Sequence, residues 1–174
     1  MPRANPERLR SPEGLDDLLL YRLSRLQAVA GSMVVRVCEG RYGITRREWR
    51  LLALLVEQPG LQPSQLADKA GLDRARTSRE VGSLVDKHLV ERIAGIADRR
   101  QATLQPTERG LQVAGEMFPL VRDLNAELLA ALDDGAVAVL DAALVGLQEK
   151  AQRMAAEAVL PKADRRRGKA ARGG

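Results

Sequence analysis

Apolar positions in this chain recur at helical spacing over most of its length and at strand-like spacing over one short stretch. Leu15, Leu19, Leu26, Val29, Met33 and Val37 share one face, widened by Leu18 and Leu23, and predict a long amphipathic helix ending near Gly40. A single charge, Arg22, falls inside that stripe. Beyond a break at Gly43, Thr45 stands three residues before Glu48, the spacing of a capping box. Trp49, Leu52 and Val56 then line a second helix that Pro59-Gly60 stops. Pro63 suits the first turn of a short third helix, with Leu66, Ala67 and Ala70 inward and Gly71 as its left-handed exit. Asp73 is a good N-cap for a fourth helix, whose inner face is Val81, Leu84 and Val85.

Residues 89–93 read as a strand, 102–104 as its partner and 95–100 as the turn between them. Thr107 can cap a fifth helix running through Leu111, Ala114, Phe118, Val121, Leu124 and Leu128, with Pro119 expected to bend it. Asp133-Asp134-Gly135 reads as a turn before a sixth helix carrying Val137, Leu140, Leu144, Leu147 and Ala151. Residues 1–14 read as a mobile arm and 158–174 as a disordered basic tail containing Arg165-Arg166-Arg167. The expected fold is mainly α with one small β-hairpin. Residues 44–106 form its compact centre, and 15–43 with 107–157 form a helical region too apolar on one side to stand alone. An apolar surplus of that kind points to a homodimer.

Composition supports the helical reading. Only 2% of the 174 residues are aromatic against 45% hydrophobic, so Leu, Val and Ala must fill the core. The net charge of +5 permits nucleic acid or an anionic surface without selecting either. One cysteine, Cys38, forbids an internal disulfide. No leader-like start and no apolar run near the ~20 residues of a membrane span is seen, so a soluble cytoplasmic protein is expected. A lone histidine, His88, and a lone cysteine argue against a zinc site or a Cys–His nucleophile pair. With no phosphate-cradling Gly motif either, the expectation is a non-enzyme with no cofactor and no metal.

The charges that stand out follow the Gly71 turn. Two helices joined by three to four residues form a helix-turn-helix, and Arg74, Arg76, Thr77, Ser78 and Arg79 lie at the N-terminal end of the second. Base edges and phosphates of a duplex would be met there. The hairpin after it carries Asp98-Arg99-Arg100. Either arginine can reach a narrow minor groove, with Asp98 orienting a guanidinium.

These residues resemble the MarR-type (multiple antibiotic resistance regulator) winged helix-turn-helix family over roughly residues 15–156. The resemblance rests on Leu66-Ala67, Ser78-Arg79, Leu84-Val85-Asp86-Lys87, Leu89-Val90, Asp98-Arg99-Arg100 and Thr107-Glu108-Arg109-Gly110. It implies a homodimer on a pseudo-palindromic double-stranded operator, with a small-molecule or redox signal changing the spacing of the two reading heads. Three positions depart from the family pattern. His88 stands where glycine is usual, Pro106 replaces a leucine, and Gly95-Ile96-Ala97 replaces an acidic-x-Arg step.

The expected function is therefore a sequence-specific transcriptional regulator, a repressor released by a small ligand such as an aromatic carboxylate. Arg22 has two readings: an ion pair across the dimer, or an anchor for that carboxylate with Met33 and Trp49 as apolar walls. Cys38 is either a small buried apolar residue or an oxidant sensor. The rival function is a winged-helix protein-interaction module using the same basic face.

Overall fold

The computed structural model describes residues 7–94 and 102–159. It divides the chain into two compact units, residues 1–128 and 129–174. The first contains α1 (Glu7–Arg10), a 3-10 turn (Leu15–Asp17), α2 (Leu19–Tyr42), α3 (Arg46–Glu57), α4 (Pro63–Ala70), α5 (Arg74–Asp86), β1 (Val90–Ile93), β2 (Thr103–Pro106) and nearly all of α6 (Glu108–Leu129). The second contains α7 (Asp134–Glu157).

Local chemistry accounts for most of these boundaries. Gly43 ends α2 at φ 63°, and Gly71 ends α4 at φ 61°, conformations that glycine adopts without a Cβ penalty. Thr45 and Glu48 close a reciprocal capping box at the start of α3. Asp73 accepts the Arg76 N–H at 2.9 Å to open α5, and Thr107 Oγ1 accepts the Gly110 N–H at 3.0 Å to open α6. Leu51, Leu52 and Leu55 of α3, Leu66 of α4, Val81 and Leu84 of α5 and Leu104 of β2 are fully buried in one core, joined by Met117 of α6.

The hairpin is antiparallel, with Val90 opposite Pro106 and Ile93 opposite Thr103. Its base is wider than two strands. Leu61, in the link between α3 and α4, bridges Leu104, whose N–H donates to Leu61 O at 2.9 Å while Leu104 O accepts from Gly60 N–H at 2.9 Å.

Four local expectations change. The long helix starts at Leu19, because Asp17 turns the chain first: its carboxylate accepts the Glu13 N–H at 3.1 Å and the Arg8 Nε at 2.6 Å. That same pair ties down part of the expected mobile arm, where Glu7–Arg10 forms one helical turn. Asp133 is not mid-turn but the N-cap of α7, accepting the Ala136 N–H at 2.8 Å, so Asp134 and Gly135 are already helical. The second strand extends to Pro106, which is possible at the edge of a two-stranded pair.

The apolar stripes of the long helices remain in water in a single chain. On α2, Leu20, Leu23, Leu26, Val29 and Met33 are exposed. On α7, no residue is buried, and Leu140, Leu144, Leu147 and Met154 line one exposed face. Among the described residues no helix is long and apolar enough to cross a membrane.

Candidate nucleic-acid interface

The helix-turn-helix is α4, Gly71 and α5. Its inner side is fixed by Ala67, Val81 and Leu84, all fully buried, and its outer side presents Arg74, Ala75, Arg76, Ser78 and Arg79, all exposed. One expected contact residue moves to the other side. Thr77 is fully buried, and its Oγ1 donates to Asp73 O at 3.1 Å. It therefore braces the first turn of α5 from within and cannot reach a duplex. The sequence held the signal, since Thr77 precedes Val81 by four residues and so shares its face. Arg76 Nε lies 3.9 Å from Asp73 Oδ2, an exposed contact that leaves the guanidinium reachable. Asp98, Arg99 and Arg100, which the sequence puts at the hairpin tip, lie outside the described residues.

The C-terminal end of α5 is built as closely as its start. His88 N–H donates to Val85 O and Leu89 N–H to Leu84 O, both at 2.9 Å. Those two bonds make a Schellman motif, which demands a left-handed residue at His88. His88 takes φ 55°, the one positive φ outside glycine among the described residues. The departure from the family's glycine is thus accommodated in the very geometry that glycine serves. From the other side, Thr107 Oγ1 donates to His88 O at 2.7 Å and Thr107 N–H to Leu89 O at 3.1 Å.

Sequence reasoning missed one pair. Glu48, only 1% exposed, accepts Lys87 Nζ at 2.9 Å on Oε1 and 2.8 Å on Oε2. Burial pushes the Glu48 pKa up, but the Lys87 ammonium, the Ser83 hydroxyl and the Thr45 N–H outweigh it and hold the carboxyl below its usual range. No spacing rule could have joined two residues 39 positions apart.

The expected ligand residues do not converge. Arg22 is exposed on α2, against the expectation of a buried arginine, and lines none of the cavities that Met33 or Trp49 lines. Met33 lines a cavity of about 560 Å³ between α2 and α6, with Leu23, Leu26 and Val121. Trp49 lines a different one, about 470 Å³, among α2, α3 and α6, with Arg46, Arg50, Val34 and Phe118. Sequence reasoning also missed Arg46 and Arg50, although they flank Trp49 on one face of α3.

Cys38 is fully buried, and desolvation pushes its thiol up to about 11. A thiol held protonated and out of water is a poor oxidant sensor, so its bland reading as a small core residue prevails.

Residues 42–101 match the sequence model of the MarR family. Over 114 residues, 66% of this chain and 69% of the relative, the sequence is 28% identical to a Thauera aromatica protein assigned to transcriptional regulation of the hcr operon. A MarR family transcriptional regulator from Silicibacter pomeroyi is 28% identical and superimposes with a TM-score of 0.68, over 80% of this chain and 93% of that one. The PcaV transcriptional regulator of Streptomyces coelicolor, solved with its natural ligand, shares the fold at 23% identity and a TM-score of 0.66, over 87% of this chain and 99% of that one. In matched sequence over residues 42–101 and in the order of helices around its hairpin, the chain is similar to the MarR family of winged helix-turn-helix transcriptional regulators.

Proposed function

We propose that two copies of this chain bind an operator duplex, one α5 in each of two successive major grooves, and repress transcription until a small organic acid releases them. One observation carries the DNA reading: the first turns of α5 turn Arg74, Arg76, Ser78 and Arg79 outward on a helix whose opposite side is locked in the core. A cationic helix start of that kind meets phosphates and base edges at once. The sequence assigns Arg99 and Arg100 to backbone or minor-groove contact, with Asp98 orienting them. Dimerisation is supported by the exposed stripes of α2 and α7, which a lone chain leaves wet. Such a protein works where DNA is, and as a regulator rather than an enzyme.

The effector is assigned to the cavity around Trp49, not to Arg22. Arg46 and Arg50 offer guanidinium groups to a carboxylate and Trp49 offers an aromatic face. PcaV was solved with a ligand, which supports an effector role for a small molecule in this fold.

The test is affinity for a duplex that the protein selects from a randomised pool, against random duplex, as salt is raised. Selective binding with a steep salt slope, ~0.9 per phosphate neutralised, is expected. Arg79→Ala should weaken it while leaving the dimer intact. Equal affinity for both duplexes would favour the protein-interaction reading. Because Trp49 is the only tryptophan, its fluorescence reports the cavity directly. Salicylate, as a plain aromatic carboxylate, should shift that emission in the wild type and not in Arg46→Ala/Arg50→Ala.

A further inference from the structure

The Thr45–Glu48 capping box needs one carboxylate oxygen, which accepts the Thr45 N–H at 2.6 Å. Glu48 does more than that. Both of its oxygens also receive Lys87, the C-cap residue of α5, which ties the start of α3 to the end of the reading helix. Residues 87–89 are thus gripped from two directions, by this ion pair and by the two Thr107 hydrogen bonds from the start of α6.

Two weaker polar contacts share that corner, the Ser83 hydroxyl on Glu48 and Thr45 Oγ1 donating to Glu80 at 3.4 Å; the remainder of the α3–α5 contact is apolar, through Leu51, Leu52, Leu55, Val81 and Leu84. Apolar burial fixes how deeply a helix sits but has no preferred direction. An ammonium shared by two carboxylate oxygens does have one. A buried carboxylate is also costly unless paired, so Glu48 holds Lys87 in place. The N-terminal arginines of α5 lie about three turns away, where a small rotation at Lys87 becomes a displacement as large as a base contact tolerates.

We propose that Glu48 and Lys87 are a positioning pair that sets the rotation of α5 on α3 and so aligns Arg74, Arg76 and Arg79 with base edges. This rests on the DNA-reading function proposed above. Glu48 is buried and cannot touch a duplex.

The test compares two affinities of the full-length protein, for its selected duplex and for random duplex, in wild type, Glu48→Gln, Lys87→Gln and Lys87→Arg. Loss of alignment should lower affinity for the selected duplex by about 10- to 100-fold while random-duplex affinity stays within about threefold, because base contacts carry the discrimination and phosphate contacts do not. Lys87→Arg, which can also meet both oxygens, should keep the wild-type ratio. A merely structural role would instead lower both affinities together, in proportion to the folded fraction, and that result overturns the proposal. Should Glu48→Gln fail to fold, Glu48→Leu/Lys87→Leu replaces the pair by apolar contact, and the same loss of discrimination is expected. A folded double variant with full discrimination overturns the positioning role alone. A wild type without any preference removes the DNA reading and this inference with it.

Discussion

Gly110→Ala sets two physical effects against each other within one turn of helix. Gly110 lies in the first turn of α6, and alanine is favoured over glycine in a helix by about 1 kcal/mol. By propensity alone the substitution should stabilise the protein. The structure says otherwise. A Cβ at Gly110 would stand 2.0 Å from Leu89 O and 3.3 Å from Leu52 Cδ1. The obstacle is backbone, already held by the Thr107 N–H at 3.1 Å and fixed by the Schellman motif behind it. Overpacking of this kind costs about 1–3 kcal/mol. Displacing Leu89 O from Thr107 adds about 0.5–1.5 kcal/mol. After subtracting the helix gain, the net loss is about 0.5–3.5 kcal/mol, or a melting temperature lower by roughly 1–14 °C for a chain of this size. Gly115 supplies the control. It lies in the same helix, exposed, with nothing within 4 Å of where a methyl group would stand, so Gly115→Ala should melt about 2–4 °C higher than wild type. Thermal melts of the three proteins at one concentration decide the matter, since a dimer's stability depends on concentration. A Gly110→Ala protein that melts at or above wild type refutes the reasoning.

Three further outcomes concern other residues. The folded-state pKa of Glu48 is lowered, so its stabilisation is complete above the unfolded value near 4.5 and fades as pH falls through the folded value. Wild type should therefore exceed Glu48→Gln in urea stability by about 1–3 kcal/mol at pH 7, with the gap closing below pH 4.5; a gap that persists at acid pH would contradict the linkage. Cys38, with its thiol near 11, should resist thiol reagents at pH 8 in the folded protein, where only about one thiol in a thousand is ionised, and react at once in denaturant; rapid labelling of the native form would show the burial to be wrong. His88→Gly relieves a left-handed side chain worth about 1–2 kcal/mol at some cost in unfolded-chain entropy, so a gain of about 0.5–1 kcal/mol is expected by urea titration, and a loss would mean that the imidazole makes a contact of its own.

Much of this fold is legible in the sequence because its signals are local. Gly43, Thr45, Pro63, Gly71, Asp73 and Thr107 each act within one turn of chain, and each does in the structure what its residue type favours. The family resemblance draws on the same stretches. Sequence and structure part where burial depends on partners distant along the chain. The apolar neighbours of Arg22 predict its burial, yet in a single chain Arg22 and most of the stripe around it, from Leu23 to Met33, lie open. The polar side chain of Thr77 suggests an outward group, although its helical phase with Val81 turns it inward. Met33 and Trp49 are both large and apolar, which suggests a shared wall, but they line separate cavities. The Glu48–Lys87 pair is beyond the reach of sequence, since a capping residue gives no sign that its second oxygen is committed elsewhere.

The bridge between Leu61 and Leu104 bears on how this protein can diversify. An isolated two-stranded hairpin is marginal in water, so its outer part usually has to help hold it together. Here the inner end of β2 is fastened to the α3–α4 link by two backbone bonds that involve no side chain. The described strands are thereby held at their base by a third stretch of backbone. Lengthening the sequence between Ile93 and Thr103 would add only a slowly growing closure entropy, about 0.6 kcal/mol per doubling. On the DNA-reading function proposed above, that sequence is free to change toward a different duplex while α5 stays seated, so the two proposed parts of the reading surface can evolve separately.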